Sequence, residues 1–320
     1  MLLFMDMPRT LLEAVTYFSD ADNCLNYMVS RRWPDGVVRC PTCNAAHVRF
    51  DKKRRVFECN KKHPKRQFSV KVGTIFEDSP LGLDKWLPTV WMIANAKNGV
   101  SSHEIARSIG VTQKTAWFML HRIRLAMQGP SGGTLDGEVE VDETYIGGRA
   151  RFMHKDKRAA KITGTGGAGK AAVMGLLERH GKDGHSRVKT KVVANVKRKT
   201  LSPEVRANVE QGSAVFSDAL KSYADLGSDY EHQVIDHAES YAKGRIHTNG
   251  LENFWSLLKR SIKGTYVNVE PFHLFRYLDE QSFRFNLRKG TDALRFLHAA
   301  AGLIGRRVQY KELIGQTTTA

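Results

Sequence analysis

The spacing of apolar residues along the chain predicts both helices and strands. In the segment 249–260, apolar residues recur at helical spacing, which predicts an amphipathic helix; these residues are Leu251, Phe254, Trp255 and Leu258. In the segment 135–146, apolar and charged residues alternate, which is typical of a strand with one buried face. The short apolar run 214–218 predicts another strand of the same region.

Two more strands and a helix are predicted between those two strands. The segments 171–177 and 188–194 each have the pattern of a strand. Ser202 and Pro203 are typical of a helix start, because serine caps the first turn and proline fits its first position. The order of strand, strand, strand, helix, strand and helix predicts an α/β domain that begins after a glycine-rich boundary at 129–133.

Another pair of helices is predicted in the segment 101–127. Ser101 and Glu104 form a capping box, Gly110 marks a turn, and Thr112 caps the second helix. This arrangement is typical of a helix-turn-helix, whose second helix enters the major groove of DNA; simple helix packing is the alternative. The side chains expected to be exposed on the second helix, and so to contact DNA, are Gln113, Lys114, His121, Arg122 and Arg124.

Three of the four cysteines cluster with a histidine. Cys40 and Cys43 form a C-x2-C pair, and Cys59 and His63 follow as C-x3-H, a spacing that suits a tetrahedral zinc site. The residues between the pairs predict a hairpin with a basic turn that contacts DNA backbone; the turn consists of Lys52, Lys53, Arg54 and Arg55. We therefore expect a small zinc ribbon.

The net charge agrees with a nucleic-acid partner. The 320 residues carry a formal charge of +17, and such a field attracts polyanions. A membrane surface is also polyanionic, but no apolar stretch approaches the roughly 20 residues that span a bilayer. The N-terminus lacks the features of a signal peptide. We therefore expect a cytoplasmic protein that binds DNA and no membrane.

Three acidic residues stand where a metal-dependent phosphoryl-transfer site needs them. Asp142 lies in the first predicted strand, Asp218 ends a later strand, and Glu252 opens the helix. Ligands gather at the C-terminal ends of strands in α/β sheets, and magnesium prefers oxygen ligands. Two such ions about 3.5–4 Å apart can stabilise the attacking and leaving oxygens of a displacement at phosphorus. The alternative is that the helix dipole alone favours a carboxylate at a helix start.

Three sequence phrases favour the metal site. They are Val-Asp-Glu-Thr-Tyr-Ile-Gly-Gly at 141–148, His-Thr-Asn-Gly-Leu-Glu-Asn-Phe-Trp-Ser-Leu-Leu-Lys-Arg at 247–260, and Gly-Thr-Tyr at 264–266. The spacing of the acids, with Lys259 two helical turns after Glu252, resembles that of the DDE transposases and integrases. The phrases look like those of the zinc-ribbon insertion-sequence transposases of the IS-fifteen-ninety-five family, and the resemblance covers 18–286.

The resemblance implies a ribonuclease-H-like catalytic core preceded by a zinc ribbon and a helix-turn-helix domain. In such an enzyme Asp142, Asp218 and Glu252 would hold two Mg²⁺ ions, for which Mn²⁺ can substitute, and the ribbon would hold one structural Zn²⁺. Family members carry either Asn or Glu as the third catalytic residue, so Asn249 is the rival of Glu252. The other residues implied at the site are Lys259 and Arg260, which would contact DNA, and His237 as a second-tier candidate.

The resemblance leaves the fourth zinc ligand open. Relatives usually show C-x2-C in the second pair, whereas this chain has C-x3-H. His63 is favoured as the fourth ligand, and His47 is possible. Cys24 stands apart from the cluster and is expected to be a small buried side chain.

The expected domains follow from these motifs: an N-terminal helical segment (1–35), the zinc ribbon (36–77), the helix-turn-helix domain (78–130), the catalytic domain (131–292) and a helical tail (293–320). The implied function is a DNA transposase that binds the inverted repeats at the ends of its element, cleaves there and joins them to target DNA. It would act as a dimer or larger assembly on the bacterial nucleoid. The alternative is a DNA-binding regulator that has lost catalysis. Such a protein is expected to lack one or more of the three acidic residues, yet all three are present.

Overall fold

The chain folds into two compact units, seen in a computed structural model that describes residues 7–129, 133–148, 154–161, 167, 169–181, 184–218, 221–235 and 247–316. One unit combines Met1–Gln128 with Lys289–Ala320, and the other is Gly129–Arg288. Each contains helices and strands, so the predicted mixed α/β class is confirmed. No helix of the described residues is both long enough and apolar enough to cross a membrane.

The first unit begins with two helices and a small sheet. Helices α1 (Leu11–Ser19) and α2 (Ala21–Arg32) are capped by the side chains of Thr10 and Asp20. The sheet is antiparallel, with the order β1 (Val48–Asp51), β2 (Val56–Cys59) and β3 (Gln67–Phe68). Because Asp51 pairs with Val56, the basic segment 52–55 forms the turn of the predicted hairpin.

Three helices follow in the same unit: α3 (Leu83–Asn95), α4 (Ser102–Ile109) and α5 (Gln113–Met127). The capping box of Ser101 and Glu104 is confirmed, as is the cap that Thr112 provides for α5. Gly110 ends α4 with a φ of 62°, a left-handed conformation that glycine adopts without a steric penalty. The two helices and their turn therefore form as the sequence predicts.

The expected exposure of α5 is wrong over most of its length. His121, Arg122 and Arg124 are 0 %, 4 % and 1 % exposed, respectively. Arg122 donates hydrogen bonds from one guanidinium nitrogen to the carbonyl oxygens of Ile75 and Glu77, at 2.9 and 2.8 Å. These three basic side chains are therefore buried in the unit and do not reach the solvent. Helical periodicity cannot reveal this, because a buried arginine and a solvated one look alike in sequence.

The second unit is built on a five-stranded sheet. Its strands are β4 (Glu138–Ile146), β5 (Ala171–Arg179), β6 (Arg187–Val193), β7 (Ala214–Asp218) and β8 (Glu231–Ile235), in the spatial order β6-β5-β4-β7-β8. The pairs β4·β5 and β5·β6 are antiparallel, whereas β7 runs parallel to both β4 and β8. The strand β8 has a mostly polar sequence, and apolar periodicity therefore does not predict it.

Helix α7 (Arg198–Asn208) covers one face of this sheet, and α8 (Asn249–Ser261) and α9 (Leu274–Asn286) cover the other. The described side chains of α6 (Lys155–Lys161), which follows β4, are exposed. One apolar core contains Val139 and Val141 of β4 with Leu201 and Val205 of α7. Another contains Leu251, Trp255 and neighbouring residues of α8 with β5 and α9. Helix α7 starts at Arg198, earlier than predicted, and Pro203 lies inside it.

The end of the chain returns to the first unit through α10 (Asp292–Ala301) and α11 (Tyr310–Leu313). The ring of Phe296 is fully buried and lies 5.1 to 5.7 Å from the rings of Phe18, Tyr27 and Trp91. The amide of Ile75 also donates a hydrogen bond to the carbonyl of Leu303 at 2.9 Å. The C-terminal segment thus supplies part of the core of the N-terminal unit.

Candidate active site and metal centre

The first two predicted acids lie on neighbouring parallel strands. Val141 of β4 pairs with Ser217 of β7, so Asp142 and Asp218 follow side by side at the next position. Both carboxylates stand at the same level of the sheet, where β7 ends. The parallel register therefore brings together two acids that are far apart in sequence.

Helix α8 carries the third acid, and a close approach to the sheet positions it. Glu252 lies in the first turn of α8. On β5, opposite Asp142, stands Gly175, where an added Cβ would lie 2.6 Å from the Trp255 ring and 2.8 Å from Leu251. Only glycine leaves room for α8 at this distance. The helix is fixed there by Leu251 and Trp255, which are 0 % and 4 % exposed.

An open cavity of about 580 Å³ lies between the end of β4 and the exposed side of α8. Acidic and basic side chains both line it; they include Asp142, Glu143, Glu252, Lys259, Arg260 and Lys263. Carboxylates bind cations and the lysine and arginine side chains bind phosphates. A cavity with both can hold metal ions and a nucleic-acid backbone together.

The acids of this cavity are close enough to raise the cost of ionisation. Burial raises the pKa of Asp142 to about 6, and repulsion from Asp218 and Glu252 acts in the same direction. Hydrogen bonds from the Trp255 indole, at 2.9 Å, and from the Glu143 amide, at 2.8 Å, partly oppose this rise in the pKa. A bound cation would relieve the repulsion, so the donor set fits magnesium.

Glu143 is a fourth carboxylate that the sequence pattern did not identify. Burial raises its pKa to about 8, with further contributions from Asp218 and Asp142. Its Oε1 atom is buried and has no hydrogen-bond partner among the described residues. Alternation along β4 assigns Glu143 to the face opposite Asp142, and only the open end of the strand lets it reach the same cavity. Its position directly after Asp142 was the only sequence signal.

The basic side of the cavity comes from the second half of α8 and the turn after it. Lys259 and Arg260 line it as expected, and Lys263, from the π-helical turn Ile262–Tyr266, joins them. Burial lowers the pKa of Lys259, and the nearby Lys263 lowers it further. Concentrated positive charge of this kind suits a phosphate.

The other predicted site residues take different positions. Asn249 is exposed at the start of α8, and neither Asn249 nor Asp218 is among the residues that line the cavity; Asp218 lies beside it, close enough to repel Asp142. His237 lies outside the described residues. Of the two candidates for the third position, only Glu252 is among the residues that line the cavity.

In the first unit, the predicted zinc ligands converge. The ligand atoms of Cys40, Cys43, Cys59 and His63 all lie within 4.8 Å of one another. The sulfurs of Cys43 and Cys59 are 3.6 Å apart, and the Cys40 sulfur is 3.4 Å from Nε2 of His63. Those separations suit ligands about 2.0–2.3 Å from a tetrahedral zinc ion. The predicted Cys3His cluster is therefore confirmed, and His47 is not part of it.

The basic turn of the ribbon is exposed, as expected. Arg54 donates a hydrogen bond to Gln67 at 2.9 Å, and Arg55 forms an ion pair with Asp22 at 3.0 Å. The two lysines of the turn, Lys52 and Lys53, are fully available to a ligand by their exposure. At the start of α5, Gln113 and Lys114 are also exposed; Gln113 donates to Ser102, and the Lys114 ammonium lies 4.9 Å from the centre of the Tyr310 ring.

Two separate segments of the chain match known protein families. Residues 134–286 match the ISXO2-like transposase domain, and residues 19–61 match a transposase zinc-ribbon domain. These matches cover the strands and helix that carry the acids, and they cover three of the four ligands of the Cys3His cluster.

Individual relatives agree with those families. A Halobacterium salinarum protein named for the transposable element ISH50 is 27 % identical over 284 residues, which are 84 % of this chain and 93 % of the relative. A transposase-like protein of Haemophilus influenzae is 36 % identical over 101 residues, 31 % of this chain and 81 % of that protein. A simian T-cell lymphotropic virus intasome structure, in complex with the PP2A regulatory subunit B56 gamma, covers 61 % of this chain and 67 % of its own. Its identity of 10 % and TM-score of 0.28 carry no argument. With its two domain matches and these relatives, the chain belongs to the IS-fifteen-ninety-five family of zinc-ribbon transposases.

Proposed function

We propose that this protein is a DNA transposase that binds the ends of its insertion sequence and catalyses metal-dependent cleavage and strand transfer. The observation that carries the proposal is that Asp142 and Glu252 line one cavity with three basic side chains, while Asp218 lies beside Asp142 at the end of the neighbouring strand. Acids alone could bind a cation, and bases alone could bind DNA. Their combination in one cavity is what phosphoryl transfer on DNA requires.

The sheet of the second unit supports a ribonuclease-H-like catalytic domain. Three antiparallel strands, β4 to β6, are followed by strands parallel to β4, and helices cover both faces. The acids stand on the central strand β4, on its parallel neighbour β7 and on α8. This is the order of elements expected for such a domain.

Asp142, Asp218 and Glu252 are the residues that would hold two magnesium ions, and Mn²⁺ has the same preference for oxygen ligands. When bound, the ions would stabilise the negative charge that develops on the attacking and leaving oxygens. Trp255 orients Asp142 through its indole hydrogen bond, at 2.9 Å. Lys259 and Arg260 would hold the phosphates of the DNA end in the cavity.

The reaction exchanges one phosphodiester for another. Water attacks phosphorus at the element end, the bond to the 3′-oxygen breaks, and the strand leaves as a free 3′-hydroxyl. That hydroxyl then attacks a phosphodiester of target DNA, forming the new 3′-linkage while the 5′ segment of the target leaves with its own 3′-hydroxyl. Bond types are conserved in the joining step, so no nucleotide cofactor is needed.

The first unit would bind DNA. Its zinc ribbon presents Lys52, Lys53, Arg54 and Arg55 to phosphates, and the exposed start of α5 presents Gln113 and Lys114. We infer a helix-turn-helix in which only this first turn of α5 reaches DNA, because Arg122 and Arg124 are buried. The joining of two element ends further implies a dimer or larger assembly on DNA.

A magnesium-dependent cleavage and joining assay tests the proposal. Purified protein is incubated with labelled DNA carrying the inverted repeats that flank its gene. The expected result is end-specific nicking and joined products that disappear in Asp142→Ala and Asp218→Ala. Specific binding of those ends without cleavage in Mg²⁺ or Mn²⁺ would overturn the enzymatic proposal in favour of a regulator.

The same assay identifies the third catalytic residue. Glu252 acts on Asp142 electrostatically and lines the cavity, so Glu252→Ala should match the loss seen in Asp142→Ala. Asn249 is exposed, does not line the cavity and offers a cation no negative charge, so Asn249→Ala should retain most of the activity. The reverse pattern would assign the third position to Asn249.

A further inference from the structure

A buried ion pair joins the catalytic strand to the start of the catalytic helix. Glu140 of β4 is 1 % exposed and lies two residues before Asp142. One of its carboxylate oxygens accepts a hydrogen bond from Nε of Arg179 at 2.7 Å, and the other accepts from the amide of Leu251 at 2.8 Å. That amide belongs to the first turn of α8, where no intrahelical acceptor exists.

Arg179 holds the residues that lead into α8. Its guanidinium donates to the carbonyl oxygen of His247 and lies 2.8 Å from Nδ1 of the same residue. The guanidinium group also lies 4.5 Å from the centre of the Phe216 ring. Arg179 as a whole is 8 % exposed. Arg179 therefore connects β5 to the chain immediately before Asn249.

The backbone of α8 comes unusually close to this pair. A Cβ added at Gly250 would lie 2.8 and 3.0 Å from the two oxygens of Glu140 and 3.0 Å from Leu177. Gly250 thus permits the contact between the Glu140 carboxylate and the first turn of α8. A helix normally receives its cap from a residue of its own chain segment, whereas here the cap comes from the strand that carries Asp142.

We propose that Glu140 is a positioning residue, which fixes the first turn of α8, and with it Glu252, relative to Asp142 on β4. The proposal rests on the proposed function, since it assigns Glu140 to the geometry of that metal site. Two bonds from one buried carboxylate set the distance between strand and helix. The carboxylate itself is not among the residues that line the cavity, so its role is to hold the helix and not to bind the metal.

Glu140→Gln is the sharpest variant, because both partners of Glu140 are donors. A glutamine side chain keeps one accepting oxygen, so its amide nitrogen must face either Arg179 or the Leu251 amide. The size of the side chain is unchanged. The variant therefore removes one of the two hydrogen bonds that Glu140 accepts and leaves the packing in place.

Glu178 provides a matched control on the adjacent strand. It is 3 % exposed, accepts from Nε of Arg187 at 2.9 Å and accepts from the amide of Asp136 at 2.9 Å. Glu178→Gln thus breaks the same kind of buried network without touching α8. Any effect of general destabilisation should appear in both variants.

Two measurements on the full-length protein test the proposal. Hydrogen exchange of a peptide covering the first turn of α8 should become about tenfold faster in Glu140→Gln and remain unchanged in Glu178→Gln. The affinity for Mn²⁺, measured by electron paramagnetic resonance, should fall by about tenfold in Glu140→Gln and stay unchanged in Glu178→Gln. Asp142→Ala serves as the control in which binding at this site is lost. Equal effects in the two variants, or unchanged exchange in Glu140→Gln, would overturn it.

Gly250→Ala is a second variant in case Glu140→Gln does not fold. Alanine is a better helix former than glycine, so helix propensity alone predicts slower exchange in α8. The proposed role of Glu140 predicts faster exchange, because the added methyl group pushes the helix away from the Glu140 carboxylate. If wild-type protein binds no Mn²⁺ and cleaves no DNA, the proposed function fails, while the exchange result still decides whether Glu140 fixes α8.

Discussion

The indole Nε1 of Trp255 donates a hydrogen bond to Oδ2 of Asp142 at 2.9 Å. Trp255 lies one helical turn after Glu252 and is 4 % exposed, so its ring is fixed by the apolar core under α8. The helix that supplies the third acid therefore also holds the first one. This bond lowers the pKa of Asp142 and so favours the ionised form that a metal ion needs.

Trp255→Phe should weaken metal binding more than it weakens folding. Phenylalanine retains most of the buried ring but has no donor, so Asp142 loses one orienting bond and its pKa rises. We expect about a tenfold increase in the Mn²⁺ or Mg²⁺ concentration needed for half-maximal cleavage, given the typical energy of a hydrogen bond to a charged group. A titration of cleavage rate against metal concentration measures it.

Trp86→Phe is the matched control for that substitution. Trp86 is buried like Trp255, with 1 % of its surface exposed, and donates its indole hydrogen bond to Ser79 at 3.1 Å, but it belongs to the first unit. It should leave the metal requirement of cleavage unchanged. The same shift in both variants would attribute the effect of Trp255→Phe to lost stability.

Burial of the Asp142 carboxylate, together with repulsion from Asp218 and Glu252, should make Asp142→Asn more stable than wild-type protein in a chelator at pH 8. The pKa of Asp142 is about 6 in the folded protein against 3.8 as its ordinary value. A raised pKa of an acid gives stability that is present below about pH 4 and lost as pH rises to about 6. Asparagine avoids this loss, but it has only one accepting oxygen for the Trp255 indole and the Glu143 amide. The net gain in the free energy of unfolding should therefore be about 1 kcal/mol.

Thermal unfolding over a series of pH values tests this prediction. A gain of about 1 kcal/mol raises the midpoint by roughly 2–4 °C in a unit of this size, and the gap between the two proteins should close below about pH 4. Asp225→Asn should act in the opposite direction. Burial raises the pKa of Asp225, but its bonds to Ser202 and Arg206 lower it more. A less stable Asp142→Asn at pH 8 would contradict the argument.

His63→Ala should release zinc from the ribbon, whereas His47→Ala should not. The His63 ring belongs to the cluster with Cys40, Cys43 and Cys59, and His47 does not. Changes beyond the direct ligands typically cost 10–100-fold in metal affinity, so loss of a ligand should cost more than about 100-fold. Competition with a coloured zinc chelator measures the affinity of both variants. Equal zinc affinity of wild-type protein and His63→Ala would exclude His63 as a ligand.

Motifs in which local chemistry determines the structure could be predicted from sequence. The Cys3His cluster follows from the spacing of its ligands, and the capping box of Ser101 and Glu104 follows from a four-residue pattern. The neighbourhood of Asp142 and Asp218 follows from parallel pairing of their strands. A short-range pattern carries the constraint for the metal cluster and the capping box, whereas the two acids are brought together by long-range pairing of their strands.

Features that depend on tertiary burial could not be predicted in the same way. Glu140 and Glu143 look like solvated charges in an alternating strand, yet one is in a buried ion pair and the other faces the cavity. Arg122 looks like a DNA contact but bonds to backbone carbonyls. The packing of Phe296 against the N-terminal helices joins residues nearly a whole chain apart, and no local pattern specifies that contact.

The lysines of the ribbon turn should contribute to DNA affinity through phosphate contacts that do not depend on sequence. Lys52 and Lys53 are exposed at the tip of a hairpin whose base is fixed by the zinc cluster. Each phosphate contact adds about one unit to the slope of log affinity against log salt concentration. The double variant Lys52→Ala/Lys53→Ala should therefore bind specific and unrelated DNA more weakly by a similar factor, with a salt slope lower by about two.

Lys97→Ala, which removes an exposed charge from the same unit, should leave the slope unchanged. Fluorescence anisotropy between about 50 and 200 mM salt measures both slopes. A loss of affinity confined to the element ends would mean that these lysines read sequence and do not merely bind the backbone, because phosphate contacts fix position without specifying bases.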